Sequence, residues 1–299
     1  MITFKQFLVE GGAATKKHGT VRASQEDIVH AIALISGALG IPVKTLEDRI
    51  LGSGRLTHAG HQKDSGDLDI AMNDQELDRD SVTDKMTFLC GSKPMLIGGN
   101  IFSYALPLGK RKIQVDLMFV PDIVWAKFSH HASEHSAHKS GVRNELLHSA
   151  LKFSMEDGKD LRVKDEDGRD VARASRSFKL DTGLERIFKI SPMRKDGKGR
   201  VKGSEKVSPA EVQAALDEIG HAGKFSPEAE IIRDPNQFAE LLFGQSVKSK
   251  DMHSTEQLIR LIKKYKSAEQ AAIFKDAVHG MVARGFDVPP ELIEFKSAA

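Results

Sequence analysis

The sequence has little cysteine, little net charge and no long hydrophobic run. Its one cysteine, Cys90, cannot form an internal disulfide. Cys90 follows apolar residues, which favours a small buried side chain over a reactive thiol. Because the formal net charge is only +2, a surface that binds polyanions would have to come from local clusters of Lys and Arg. No stretch approaches the roughly 20 apolar residues that a membrane-spanning helix needs.

The first residues, MITFKQFLVEGG, also contain too short an apolar run for a signal peptide. Together with the single cysteine, this predicts a soluble cytoplasmic protein that has no membrane partner. A chain of 299 residues with 40% hydrophobic content can bury a substantial core and form more than one domain.

Changes in composition and periodicity predict four regions. They are an N-terminal arm (1–24), a first mixed domain (25–153), a β-hairpin with a basic connecting segment (154–206) and a C-terminal helical domain (207–299). The first domain opens with a helix that starts near Ser24 and stops at Gly40. A turn at 165–168 predicts the hairpin. C-terminal helices are predicted at about 209–219, 235–243, 254–265, 268–284 and 289–296.

Basic residues are most concentrated between Phe188 and Lys206, in FKISPMRKDGKGRVKGSEK. Two interpretations remain open for this segment. It is either a flexible, solvated linker or a surface that contacts the phosphate backbone of a nucleic acid. A further group of lysines flanks Tyr265 at the end of a predicted helix, where cations also suit the helix dipole.

Two acidic strands form the most informative pattern. In Asp67-Leu68-Asp69-Ile70 the residues alternate, so the two carboxylates share one face of a strand and the apolar residues share the other. Side-by-side carboxylates repel unless a cation lies between them, and their hard oxygen ligands suit Mg²⁺. A later strand, Ile113–Val120, adds Asp116 between apolar neighbours. A solvated strand edge is the alternative interpretation of an isolated Asp-x-Asp pair.

Five histidines follow this strand, and they raise the possibility of a zinc site. They are His130, His131, His135, His138 and His148. Structural zinc sites usually combine closely spaced Cys and His pairs, and no cysteine lies here. We therefore favour a polar helix or loop surface.

The order Gly52-Ser53, Ser65-Gly66 with Asp67-x-Asp69, and then Val115-Asp116-Leu117 resembles the nucleotidyltransferase superfamily typified by DNA polymerase β. The resemblance covers roughly residues 25 to 150, and the chain is also similar to predicted nucleotidyltransferases of bacteriophages. It implies an α+β fold in which residues 25–153 form a polymerase β-like palm, a mixed sheet with flanking helices. The hairpin, the basic segment and a small helical domain would follow the palm.

The resemblance also implies roles for individual residues. Asp67, Asp69 and Asp116 would be the catalytic metal ligands for Mg²⁺, with Mn²⁺ as the alternative, in a two-metal mechanism. The nucleotide phosphates would contact Gly52, Ser53, Ser65 and Gly66 through backbone N–H and hydroxyl donors. The loop between Ser53 and Asp67 is longer than in the polymerase, so Arg55 and Lys63 are further candidates for phosphate binding.

The predicted function is metal-dependent transfer of a nucleoside monophosphate from a nucleoside triphosphate, such as ATP, to an acceptor hydroxyl. Because the basic segment could contact a phosphate backbone, we expect an RNA acceptor, in particular an RNA or tRNA 3′ end. One alternative keeps this chemistry but transfers to a protein side chain or a small molecule. Another is a non-catalytic nucleotide- or RNA-binding or antitoxin-like module.

Overall fold

The structure is a computed structural model and shows an α+β protein, as the sequence predicts. It describes residues 15–134, 140–151, 161–164, 170–190, 205–218, 231–265, 278–283 and 288. Within these ranges the chain forms one mixed sheet in the N-terminal half and a second sheet in the C-terminal half. None of the helices described in these ranges combines the length and apolar character needed to cross a membrane.

The N-terminal half contains short strands before residue 68 and longer ones after it. In chain order they are β1 (Thr20–Val21), β2 (Ala23–Ser24), β3 (Asp64–Ser65), β4 (Leu68–Asn73), β5 (Met95–Ile97), β6 (Ile101–Leu108) and β7 (Arg111–Val120). The helices among them are α1 (Gln25–Leu39), α2 (Val43–Asp48), α3 (Gly52–His58) and α4 (Arg79–Cys90).

Strand β7 is the centre of the first sheet. Along one edge it pairs antiparallel with β6, which in turn pairs with β5. Along the other edge it pairs parallel with β1 near its start and with β4 further on. Residues 20–21 of the predicted arm are therefore a strand of this sheet. Strands β2 and β3 pair with each other separately.

Helix α1 packs on the first sheet because its apolar residues recur at helical spacing. Ile28, Ile32 and Ile35 are buried in one cluster with Val115 and Leu117 of β7. The helix begins after Ser24 and ends at Gly40, as predicted. Ser24 and Asp27 form a capping box at its start, and Gly40 has a left-handed φ of 74°. The predicted helix is thus confirmed.

The part of the chain from residue 123 onward, called the C-terminal half here, contains further helices and an antiparallel sheet. Its helices are α5 (Ile123–Ser129), α6 (Ser140–Leu151), α7 (Pro209–Glu218), α8 (Pro235–Phe243) and α9 (Thr255–Tyr265). Its strands are β8 (Leu161–Lys164), β9 (Asp170–Lys179), β10 (Gly183–Ile190), β11 (Glu205–Val207) and β12 (Ile231–Ile232). Strands β8 and β9 pair antiparallel and confirm the predicted hairpin, although its turn at 165–169 lies outside the described residues.

A second hydrophobic core centres on Trp125 of α5. Its ring centroid lies 5.6 Å from that of Phe128, 5.4 Å from that of Phe178 and 5.5 Å from that of Phe238. The Trp125 indole N–H donates to the backbone carbonyl of Lys179 at 2.8 Å. This core therefore begins with α5, which lies within the stretch 25–153 predicted as the first domain.

Both ends of the basic segment are strands that the sequence analysis did not predict. Lys189 lies in β10 and pairs with Lys206 of β11, while β10 also pairs with β9 and β12. Residues 191–204, which carry most of the positive charge, lie outside the described part of the chain.

The predicted C-terminal helices at 209–219, 235–243 and 254–265 are confirmed by α7, α8 and α9. Of the predicted helix at 268–284 only residues 278–283 are described, and they are helical. The predicted helix at 289–296 lies outside the described residues.

Candidate functional site

The three predicted carboxylates lie together at the centre of the first sheet. Strands β4 and β7 run parallel in a register that sets Asp69 beside Asp116, and Asp67 immediately precedes β4. One carboxylate oxygen from each of the three residues lies within 4.8 Å of the others. Asp116 is fully buried and Asp67 is 8% exposed. The sequence therefore predicted correctly that these residues cluster.

Neutral hydrogen-bond donors hold the Asp116 carboxylate. The Ser103 hydroxyl donates to Oδ1 at 2.6 Å, and the Gln114 amide donates to both oxygens at 3.1 and 3.0 Å. The Gln114 amide oxygen in turn accepts from the backbone N–H and the hydroxyl of Thr15, each at 3.0 Å. Sequence reasoning missed these partners. Gln114 could have been found, because it shares a strand face with Asp116 at a spacing of two.

Burial and mutual repulsion make it unfavourable for all three carboxylates to be ionised at once. Burial, reinforced by the charges of Asp67 and Asp116, raises the pKa of Asp69 well above its ordinary value. Burial and the Asp67 charge raise the pKa of Asp116 to about 7, against the opposing hydrogen bonds from Ser103 and Gln114. Within the described part of the chain, no Lys or Arg forms an ion pair with Asp69 or Asp116.

These properties fit a divalent cation. Carboxylate oxygens are the ligands that Mg²⁺ prefers, and a cation would offset the repulsion that burial intensifies. In the parts of the chain described, this is the only group of three or more His, Cys, Asp and Glu side chains close enough to share an ion.

Gly52 lies directly against the cluster. A Cβ atom added at this position would lie 3.3 Å from Oδ2 of Asp69, and the φ of 56° is one that other residues rarely adopt. Its backbone N–H, which the resemblance assigns to a nucleotide phosphate, donates here to the carbonyl of His130 at 3.1 Å. In this conformation the Gly52 N–H is therefore occupied.

The chain around Gly52 differs from the prediction. We expected a strand that ends in a Gly52-Ser53 turn and a polar loop, but helix α3 begins at Gly52. Only an isolated bridge between Ile50 and Ile70 precedes it. The helix contacts α1, β3 and β4, and its Leu56 and Thr57 are buried, so tertiary packing stabilises it.

The other predicted phosphate contacts divide into two groups. Ser53 and Ser65 meet, with their hydroxyl oxygens 2.6 Å apart, and Gly66 lies between Ser65 and Asp67. Arg55 does not join them. Its guanidinium donates to the carbonyl of Ala132 at 2.9 Å. Lys63 is exposed on the loop that leads to β3.

The histidines do not form a simple polar surface. Burial lowers the pKa of His130 to about 4 and that of His131 to about 3. His131 stacks on His253, with ring centroids 4.1 Å apart. His135 and His138 lie outside the described residues. The expectation of a polar, solvated segment is therefore wrong for His130 and His131, which are half-buried. It is confirmed for His148, which is exposed on α6.

Cys90 behaves as predicted for a small buried side chain. It lies in the first core, and burial raises the pKa of its thiol to about 12.

No protein-family model matches this chain, and no curated protein is significantly similar to it.

Proposed function

We propose that the protein is a metal-dependent nucleotidyltransferase that moves a nucleoside monophosphate from a nucleoside triphosphate to an acceptor hydroxyl. The observation that carries the proposal is the carboxylate cluster of Asp67, Asp69 and Asp116, whose ligand atoms lie within 4.8 Å of one another. A buried cluster of this composition has no evident structural use, because it costs free energy unless a cation offsets the charge.

We further propose that the first sheet is a polymerase β-like palm. The order of elements supports this assignment. A helix begins at Gly52-Ser53, the strand with Asp69 follows, and the strand with Asp116 pairs parallel to it. The two Asp residues then lie side by side beneath the helix start.

In this proposal the three carboxylates hold Mg²⁺, with Mn²⁺ as the alternative. A divalent cation bound there would neutralise charge on the phosphates and lower the pKa of a coordinated hydroxyl. Asp116 lies beside the acceptor hydroxyl and accepts its proton. Ser53 and Ser65 share one hydrogen bond, which leaves one hydroxyl proton for a phosphate oxygen of the nucleotide.

The proposed acceptor is an RNA, in particular an RNA or tRNA 3′ end. The support for it is the basic segment from Phe188 to Lys206, since cations that line a nucleic-acid backbone supply most of its binding free energy. The segment leaves and rejoins the second sheet through β10 and β11, which pair with each other.

The test is a labelling assay with each α-labelled nucleoside triphosphate, Mg²⁺ and total RNA. We expect the wild-type protein to label RNA and Asp116→Asn to lose at least about 100-fold in rate, because a metal ligand is removed. Asp80→Asn is the matched control, since Asp80 is an exposed carboxylate in the first turn of α4. It should retain the wild-type rate.

Other outcomes would identify the alternatives. Label on protein or on a small molecule would keep the chemistry and replace the acceptor. Nucleotide or RNA binding without release of pyrophosphate would indicate a non-catalytic binding module. Labelling that survives Asp116→Asn and Asp67→Ala would contradict the mechanism.

A further inference from the structure

A polar pocket lies between helix α3 and helix α9, and none of the three clustered Asp residues lines it. Its volume is about 500 Å³, which lies in the range of pockets that hold small ligands. Helix α3, the loop after α5 and the start of α9 surround it. Six of its lining residues are basic or histidine, namely Arg55, His61, His131, Lys250, His253 and Arg260.

A buried guanidinium lies behind this pocket. Arg143 of α6 is 1% exposed, and its Nε donates to the carbonyl of Met252 at 2.6 Å. Its Nη1 donates to the Asn144 side chain at 3.1 Å and more weakly to the Ser129 carbonyl at 3.4 Å. Among the described residues no acceptor lies within reach of its Nη2. Burial lowers the pKa of Arg143 to about 9, so it stays charged at neutral pH.

The stacked rings of His131 and His253 line the pocket. The positive charge of Arg143 affects the pKa of both. Burial is the main reason that the pKa of each is lowered, and the charges of Arg55 and Arg143 lower both further. The rings are therefore neutral at pH 7 and do not add to the positive charge. They instead place two uncharged aromatic rings in the pocket wall beside the cations.

Two carboxylates also line the pocket and reduce its positive charge. The Glu134 carboxylate lies 3.0 Å from Nδ1 of His61, and Glu256 lies in the first turn of α9. Arg55, Lys250 and Arg260 outnumber them, and the buried Arg143 adds to the excess. The pocket is thus a cationic site, and no carboxylate among the described residues forms an ion pair with the Arg143 guanidinium behind it.

We propose that this pocket binds a phosphate monoester. A doubly charged phosphate offers several strong acceptors, and Arg is the side chain that matches phosphate geometry best. The pocket's volume and its stacked histidine rings allow room for a ligand of mononucleotide size. The assignment does not depend on the proposed nucleotidyl transfer, since none of the three Asp residues lines the pocket.

The test is a titration of the full chain with adenosine 5′-monophosphate and, separately, inorganic phosphate. It is run at low salt with EDTA, so that divalent ions cannot recruit phosphate to the carboxylate cluster. Calorimetry gives the affinity, and the ring resonances of His131 and His253 report occupancy. We expect saturable binding that moves both histidines.

Two charge-neutralising variants and two controls locate the binding. Arg260→Gln and Arg55→Gln should each weaken binding by about tenfold or more, because each loses a charge-assisted hydrogen bond. Lys264→Gln removes a charge from the same helix as Arg260, where the ammonium lies over the Tyr265 ring at 4.8 Å, and should change the affinity little. Asp116→Asn should also bind normally.

Equal affinity for the two probes would mean that the pocket recognises phosphate alone, and tighter binding of the nucleotide would mean that the nucleoside contributes too. Absence of saturable binding of either probe would overturn the proposal. Binding that neither Arg260→Gln nor Arg55→Gln weakens would overturn it as well. If the pocket binds neither probe, the proposed nucleotidyl transfer is not contradicted, because the labelling assay tests the carboxylate cluster and not this pocket.

Discussion

Asp116 is oriented by neutral donors rather than by cations, and this arrangement has a chemical advantage. Ser103 and Gln114 hold its carboxylate through hydrogen bonds of 2.6 to 3.1 Å. A lysine or arginine in their place would compete with a metal ion for the same oxygens. The neutral donors fix the rotamer and still leave the negative charge available.

Removing the Ser103 hydroxyl should therefore weaken metal binding. In Ser103→Ala, Asp116 loses its shortest hydrogen bond, its pKa rises further above the value of about 7, and we expect the affinity for Mn²⁺ to fall about tenfold. Calorimetric titration with Mn²⁺ at pH 7 measures this. Ser81→Ala on the exposed side of α4 is the control, and an unchanged affinity in Ser103→Ala would contradict the assigned role.

The residue scale also shows how far a sequence can predict a site. The alternation around Asp67 and Asp69 identified two ligands, and the isolated Asp116 in an apolar strand identified the third. Ser103 was not predictable, because it approaches Asp116 only through the antiparallel register of β6 and β7. Arg143 was missed as a buried cation, since nothing in its own helix indicates that it packs over the Phe128 ring.

At the scale of single elements, helix α3 is the main departure from expectation. Its sequence, GSGRLTH, contains two glycines and a β-branched threonine, so its intrinsic helix propensity is low. Burial of Leu56 and Thr57 overrides this propensity. The Thr57 hydroxyl also donates to the carbonyl of Ser53 at 3.2 Å.

Gly52→Ala should disturb both the start of α3 and the metal site. The substitution strains a left-handed backbone and brings a methyl group to 3.3 Å from the Asp69 carboxylate, so we expect a loss of about 1 to 2 kcal/mol in unfolding free energy and weaker Mn²⁺ binding. Gly37→Ala, at an exposed position in the last turn of α1, has nothing within 4 Å of the new Cβ. It should gain about 0.5 to 1 kcal/mol. Denaturant unfolding measures both changes, and equal stability of the two variants would contradict this account.

The missed strands have a different cause. Strands β11 and β12 contain only three and two residues, which is too short for an alternating pattern to be recognisable. Strand β10, GLERIFKI, runs into the basic segment, where charge dominates the composition. Strand β10 forms a local hairpin with β9, in which Gly183 lies opposite Lys179. Strands β11 and β12 pair with β10 across long stretches of chain, and a local pattern does not contain such contacts.

At the scale of the whole molecule, the carboxylate cluster should make stability depend on pH and on divalent ions. Asp69 and Asp116 have pKa values raised above the ordinary 3.8, to about 7 for Asp116. Between about pH 4 and pH 7 the folded state therefore binds more protons than the unfolded state. This contribution to the unfolding free energy is complete below about pH 4 and is lost as pH rises through about 7.

We expect Mg²⁺ to raise the melting temperature at pH 8, where the carboxylates are ionised, and to have a smaller effect at pH 5, where protons compete with it. Asp116→Asn in EDTA should melt at a higher temperature than the wild type at pH 8, because one repelling charge is gone. Thermal melts from pH 5 to pH 8, with and without Mg²⁺, measure both effects. A wild-type melting temperature at pH 8 that does not respond to Mg²⁺ would contradict the fit of a cation to this site.

The parallel pairing of β4 with β7 also has a consequence for the order of folding. Strands β6 and β7 form a local hairpin, whereas Asp69 reaches Asp116 only after α4, β5 and β6 have closed the loop between them. Contacts distant in sequence form slowly. The hairpin with Ser103 and Asp116 should therefore exist before the cluster does, and the repulsion between the carboxylates should slow the final docking of β4 at high pH.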